Sequence, residues 1–270
     1  MAHKSISKTD EEDIPFVKIF WTGGFDSSFR IIQLSRCNVI VQPYYIADYK
    51  YRHSIENELN AIKGITEDIL KNSETRFTLN PLIIVDAESI KTNNEISETQ
   101  KKLAEEIALG SQYVWLAGFA SMHPGIELTI EKSEDGHIGN YFKTSGFRIK
   151  ETIGDISYLT VDRSKSAKEM VTIFGNFHFP YPITEMTKLE MVDEYKKMGY
   201  GDTMMKTWFC HNPVKNQPCG VCAPCKQTIR DGLAFRITNS GMKRYEIDRK
   251  NADKLWFKLR KKIRWRIYKY

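Results

Sequence analysis

Trp21-Thr22-Gly23-Gly24-Phe25-Asp26-Ser27-Ser28 follows directly on the apolar run Phe16–Phe20, and the reading of this stretch decides the fold. A strand that ends in two glycines and then Asp-Ser-Ser is able to present its backbone to an anion. Glycine lets the chain turn tightly and come within hydrogen-bonding distance of phosphate oxygens. The serines suit the cap of a following helix, whose first turn adds N–H groups and partial positive charge. The same glycine pair also makes ordinary hairpins. The next segment, Phe29 to Arg36, separates the two, because it reads as a helix and not as a returning strand. A phosphate-binding loop is the expectation, and a plain connection is the alternative.

Working outward, Val39–Ile46 forms a second apolar run, so the loop and its helix join two strands that pair in parallel. Ser54–Leu70 carries Ile55, Leu59, Ile62, Ile65 and Ile69 at helical spacing. Leu82–Val85 reads as a third strand, Glu95–Leu109 as a helix and Tyr113–Ala117 as a fourth strand. This alternation predicts an α/β fold, an open parallel sheet wrapped by helices in the Rossmann-like manner. Ligands of such sheets bind beyond the carboxyl ends of the strands, where Gly23-Gly24 falls. From Gly125 to Phe179 the pattern turns to β-type runs (Ile126–Ile130, Tyr158–Val161) between polar turns, which predicts an inserted hairpin or lid. Met186–Met198 returns to helical periodicity and stops at Gly199.

The composition bounds the function. A chain of 270 residues with 41% hydrophobic content buries one good core with a small appended unit. No apolar run approaches the roughly 18 residues needed to span a bilayer. Met1–Asp13 is polar and charged, unlike a secretory signal, so a cytoplasmic protein is expected. The net charge is +6, but Met242–Tyr270 alone holds 12 Lys/Arg against 3 Asp/Glu. The rest of the chain therefore carries about −3, and its average does not describe a general nucleic-acid binder.

Four of the five cysteines, Cys210, Cys219, Cys222 and Cys225, fall in a C-x8-C-x2-C-x2-C array. Two-residue spacers let neighbouring thiolates converge on one tetrahedral ion, and Pro213, Pro218, Gly220 and Pro224 suit an irregular knuckle. Zinc is the expected ion; an iron–sulfur cluster, a redox pair or unrelated core cysteines are the alternatives. Four sulfur ligands leave no open position, so such a zinc is structural. Cys37 stands alone and reads as a buried helix-end residue.

A second constellation, Asp48-Tyr49-Lys50-Tyr51-Arg52-His53-Ser54-Ile55-Glu56, follows the second strand and faces the same crevice. Arg is able to grip a carboxylate or phosphate in bidentate fashion, and His transfers protons near neutrality. The bland alternative is a solvated loop with Ser54 as an N-cap.

Resemblance adds to these readings. Thr22-Gly23-Gly24-Phe25-Asp26-Ser27 resembles the SGGxDS signature of PP-loop enzymes, which split ATP into AMP and pyrophosphate. Asp48-Tyr49-x-x-Arg52-His53-x-x-Glu56 resembles the DYGQRHxxE segment of the 7-cyano-7-deazaguanine synthase (QueC) family. Cys210-His211-Asn212, Cys219-Gly220-Val221-Cys222-Ala223-Pro224-Cys225 and Arg230-Asp231-Gly232-Leu233 look like that family's zinc motif and the helix after it. Pro182, Lys188 and Glu190 are similar to its P-L…K-x-E segment.

The resemblance implies an ATP-dependent ligase that adenylates a deazapurine-like carboxylate for attack by ammonia, giving an amide or nitrile. It implies ATP, Mg²⁺ and structural Zn²⁺ as cofactors, with Thr22, Gly23, Gly24, Phe25, Asp26, Ser27, Ser28, Asp48 and Gly118 on the nucleotide side. Asp26, Lys188, Arg52 and His53 take the catalytic roles, and Cys210, Cys219, Cys222 and Cys225 hold the zinc. Relatives in anti-phage operons, which join a deazapurine to a protein, offer a second task. The sequence departs from the family where Thr22 replaces serine, Lys50 glycine and Tyr51 glutamine. Its V-P-G-R-N and Y-P-D-C-R segments have no counterpart here, and Gly118-Phe119-Ala120-Ser121-Met122-His123-Pro124 stands in their place. The other readings are a tRNA-modifying or sugar amidotransferase-type PP-loop enzyme, and a nucleotide-binding scaffold without catalysis.

The expected organisation is an extended 1–13, a 14–205 ATP-binding domain with a β-rich insert at about 125–179, a 206–241 zinc unit and a 242–270 basic amphipathic helix. In the last, Leu255, Leu259, Ile263 and Ile267 recur every four residues among basic ones. Such a helix docks on the body or on a second subunit of a homodimer; nucleic acid, an acidic protein partner and an anionic membrane surface are the alternatives.

Overall fold

Two glycines can turn a chain only if something holds the strand before them, and here that is a mostly parallel sheet. The computed structural model describes residues 14–130, 132, 137–146 and 148–251. The expected 1–13 extension and the tail residues from 252 onward lie outside them. Eight strands form the sheet: β1 (Phe16–Phe20), β2 (Ile40–Ala47), β3 (Thr78–Leu79), β4 (Ile83–Asp86), β5 (Ile126–Glu127), β6 (Arg148–Ile153), β7 (Ile156–Val161) and β8 (Phe177–Tyr181). The order is β3-β2-β1-β5-β8-β7-β6, with β4 also on β2. β1 through β5 and β8 pair in parallel, while β6 and β7 form an antiparallel hairpin that continues the sheet from β8.

Ten helices flank this sheet among the described residues: α1 (Phe25–Leu34), α2 (Ile55–Lys71), α3 (Asn94–Ile107), α4 (Gln112–Met122), α5 (His137–Ser145), α6 (Lys168–Phe174), α7 (Lys188–Lys197), α8 (Gly201–Met205), α9 (Ala223–Arg230) and α10 (Asn239–Lys250). Alternation along β1 sorts them into two layers. Val17, Ile19 and Trp21 enter one apolar core with Phe29, Ile32, Ile65 and Tyr195, from α1, α2 and α7. Phe20 points the other way, into a core with Leu103, Phe119, Phe174 and Phe177. A parallel sheet covered on both faces explains why its strands read as unbroken apolar runs.

The expectation of a fourth strand at Tyr113–Ala117 is corrected: those residues lie in α4. The run Tyr113–Ala120 is apolar on all sides, and a short apolar run has no period that separates a buried helix from a buried strand. The strand paired to β1 on that side is the two-residue β5, joined through Ile19 and Glu127. The insert expected at about 125–179 also reads differently. It does contain a hairpin, β6–β7, but β5 and β8 at its two ends are inner strands of the main sheet. No described helix is long and apolar enough to cross a membrane.

Glu127 of β5 ties α1 to the sheet. Arg30 donates to it through Nε (2.8 Å) and Nη2 (2.6 Å), and both side chains are at most 5% exposed. A buried pair with both partners satisfied is tolerated, whereas removing one leaves an uncompensated charge. Arg30→Met is therefore expected to cost about 3–5 kcal/mol and to lower Tm by roughly 10 °C in thermal unfolding. The double substitution Arg30→Met, Glu127→Leu recovers most of that loss.

Candidate active site

The turn after β1 is tight because its surroundings leave no alternative. Trp21 N–H continues the ladder to Tyr44 O at 2.8 Å, and Gly23 then adopts φ +67°. A side chain there would be strained, and its Cβ would lie 2.6 Å from the Glu58 carbonyl oxygen of α2. Gly23 O accepts from Trp208 N–H at 2.8 Å. Gly24 then forms the N-cap of α1, with no side chain capping the helix. The N–H groups of that first turn are left to a ligand or solvent.

The other loop residues divide by task. Thr22 Oγ1 accepts from Gly24 N–H at 3.3 Å and lies 3.4 Å from Ser27 Oγ, so the hydroxyls brace the turn. Ser28 is buried and accepts from the Trp21 indole at 3.0 Å, which makes it an internal prop. Phe25 is buried edge-on against Tyr195.

Asp26 sits in the first turn of α1, and Lys188 is the first residue of α7. Lys188 Nζ donates to both Asp26 oxygens, at 2.5 and 2.6 Å, across 162 residues of sequence. The Thr187–Glu190 capping box fixes the start of α7 and thereby the root of the lysine.

Sequence reasoning gave two neighbours of this pair no role. Arg236 is buried between the rings of Phe25 (5.3 Å) and Phe209 (4.7 Å) and donates to Thr207 O at 2.6 Å and to the Thr207 hydroxyl. Burial pulls its pKa down to about 10. Asp231, from the Arg-Asp-Gly-Leu turn, is held above the ordinary carboxylate range by burial, and the Asp26 charge adds to the shift.

The second constellation lies at the carboxyl end of β2. Asp48 closes a turn by accepting from Tyr51 N–H (3.1 Å). Arg52 donates to Glu58 at 3.1 Å. Glu58 is almost fully buried and also accepts from Tyr45 (2.7 Å) and Ser54 (2.6 Å). Ser54 stands at the N-cap of α2, but its hydroxyl goes to Glu58 and does not cap the helix. Burial opposes ionisation of Arg52, yet Glu58 overcomes it and raises the guanidinium pKa. His53 and Glu56 point to solvent. Glu58, two positions beyond the expected motif, is the residue that aims Arg52. His211 lies within electrostatic reach of this group; partial burial lowers its pKa first, and Arg52 adds to the shift.

Gly118 does not stand at a strand end as expected. It lies inside α4, where the space a Cβ would fill is taken by Thr92 (2.6 Å) and Lys91 O (2.9 Å). The geometry expected for a nucleotide contact there is absent.

The four cysteines converge. Their sulfurs lie within 4.8 Å of one another, with Cys219–Cys225 at 3.8 Å and Cys222–Cys210 at 3.9 Å. Four thiolates about 2.3 Å from a central zinc stand about 3.8 Å apart, so the set fits a tetrahedral ion. Backbone N–H groups of Cys219, Val221 and Cys222 donate to these sulfurs, as a thiolate shell requires. The knuckle is clamped from outside. Arg244 of α10 donates to Cys219 O at 2.8 Å, and a Cβ on Gly220 (φ +80°) would lie 2.1 Å from Gly241 O. From inside, the Trp208 indole donates to Cys210 O at 2.7 Å. Cys37, in the turn after α1, is half-buried, with its thiol directed at Gln33 O (3.7 Å).

Cys222→Ser is expected to remove bound metal, measured by elemental analysis of the purified chain, and to lower Tm. Unchanged metal content and Tm would refute the knuckle as a metal centre. Gly23→Ala is expected to destabilise the chain by about 1–3 kcal/mol, measured by urea unfolding, because it combines a left-handed backbone with a backbone clash.

No protein-family model matches the chain, and no curated protein matches it. Among solved structures it is similar to a 4-thiouridine synthetase–RNA complex with bound ATP, at 14% identity and a TM-score of 0.34. That match covers 86% of this chain and 53% of the other, so the chain spans about half the length of the synthetase. A likeness of this size leaves function to be read from the chain's own side chains.

Proposed function

We propose that the chain is an ATP-dependent enzyme that splits ATP into AMP and pyrophosphate, and more specifically a carboxylate–ammonia ligase of the 7-cyano-7-deazaguanine synthase type. The observation that carries this reading is the closure of Lys188 on Asp26 above the uncapped start of α1, where β1 ends. An anion-binding helix end, a carboxylate and a cation are the parts that a polyphosphate site needs. The motif order supports the finer reading, since the Asp48–Glu56 segment opens onto the same edge of the sheet and the knuckle docks on the loop.

The chemistry follows from the leaving group. A carboxylate resists ammonia because oxide would have to leave. Attack of the carboxylate on the α-phosphorus expels pyrophosphate and gives an acyl-adenylate; ammonia then displaces AMP to give an amide. A second ATP adenylates the amide oxygen with release of pyrophosphate, and elimination of AMP, which carries that oxygen away, with loss of the nitrogen protons gives a nitrile. The Thr22–Ser27 backbone holds the pyrophosphate half, and Lys188 neutralises charge as it leaves. Arg52, aimed by Glu58, takes the substrate carboxylate, with His53 and His211 at the rim. Asp26 would hold Mg²⁺, which when bound screens the phosphate charges. Zinc in the knuckle is structural. Residues 14–205 form the ATP-binding unit and 206–241 the zinc unit, on which Arg244 of α10 closes; the basic sequence 242–270 offers charge to a sister subunit, protein partner or nucleic acid.

The test is substrate-dependent AMP release with ATP, ammonium and a panel of carboxylates that includes 7-carboxy-7-deazaguanine. Asp26→Ala is expected to abolish AMP release, by about 10³-fold or more, while circular dichroism stays unchanged. ATP binding with no AMP from any carboxylate points instead to a nucleotide-binding scaffold. AMP release that needs tRNA points to a tRNA-modifying enzyme.

A further inference from the structure

We infer that Arg236 is a positioning residue of this site, a buried and unpaired cation whose charge holds an anionic ligand at the start of α1. The inference deepens the reading of the loop as a nucleotide site and rests on it. Arg236 is 8% exposed, and its guanidinium lies between the rings of Phe25 (5.3 Å) and Phe209 (4.7 Å). Its hydrogen bonds go to neutral oxygens, the carbonyl and the hydroxyl of Thr207. Its Nε is buried with no acceptor among the described residues. Packing alone does not ask for such a group, because an apolar side chain fills a slot between two rings without burying a charge. A guanidinium in that slot opposes folding until an anion answers it.

The location fits that role. Phe25 opens α1, and its ring also lies 5.4 Å from Lys188 Nζ, so two cations flank one residue of the loop. They differ in what answers them. Lys188 is held by both oxygens of Asp26 at 2.5 and 2.6 Å. Arg230, exposed on α9, acts on the carboxyl of Asp231. Arg236 feels the Asp26 charge, which Lys188 already engages, and has no ion pair of its own among the described residues. Burial pulls its pKa down only to about 10, so it stays charged at neutral pH. The interior around it screens that charge far less than water does. It therefore adds to the partial positive charge at the start of α1, and a pyrophosphate group on the first-turn N–H groups supplies the missing counter-charge.

The test is calorimetric titration of the full chain with pyrophosphate and with ATP, both in Mg²⁺, over two pairs of variants. Arg236→Met keeps the length of the side chain, Arg236→Gln keeps a donor for Thr207, and both remove the charge. Arg236→Lys and Phe209→Leu keep the charge and disturb the packing around it. The neutral pair is expected to bind pyrophosphate about tenfold more weakly than the wild type, and the charged pair to stay within about threefold of it. A purely structural arginine gives the opposite grouping, with loss following the disturbed packing. A folded neutral variant that binds pyrophosphate as tightly as the wild type overturns the inference alone. A charged pair that weakens binding as much as the neutral pair does so too. A wild type that binds neither ligand overturns the nucleotide reading and this inference with it.

Discussion

A single backbone hydrogen bond, from Trp208 N–H to Gly23 O, joins the two halves of this site. Gly23 has no freedom to receive it in any other way, because α2 presses on its Cα and its backbone is left-handed. Trp208 is equally constrained: its indole is tied to Cys210 O, and Arg236 holds Thr207 before it. The Gly23-Gly24 loop is thus braced on one side by an interior helix and on the other by the chain entering the knuckle. The same unit acts on the site electrostatically through Asp231, whose charge is felt by Lys188 and Asp26, and through His211, which feels Arg52. The cysteine knuckle and the geometry of the loop are one mechanical system.

Charge is distributed along this system by burial as much as by pairing. Glu58 accepts three donors in the interior, from Tyr45, Arg52 and Ser54, and so fixes a guanidinium at the crevice without leaving any polar atom of its own unserved. Arg30 and Glu127 do the same beneath α1. Such pairs add little net stability over apolar replacements, but they specify where each element sits.

Much of the fold was legible where periodicity was clean. β1, β2, α2 and α7 were readable because their apolar residues repeat at two or 3.6 positions, or run unbroken between turn signals. α4 was not, because its residues are apolar all round, and β5 is too short to leave a pattern. In the site, the cysteine spacing by itself announced the convergence of four sulfurs able to hold a metal ion. The meeting of Asp26 with Lys188 had no local signal at all, since the two lie on helices 162 residues apart; only the family-like motif order suggested both. Glu58 and Arg236 were missed for a different reason. An acid inside an amphipathic helix and an arginine in a short turn look like surface residues until tertiary packing turns them inward.

The cysteine knuckle also has a consequence for the order in which the molecule assembles. Its four ligands lie between Cys210 and Cys225, so closing the loop around an ion costs little chain entropy. The contact from that region to Gly23 closes a loop of well over a hundred residues and is the slow, entropically expensive one. The Gly23-Gly24 turn, closed on Trp208 from so far along the chain, depends on that long-range docking for its shape.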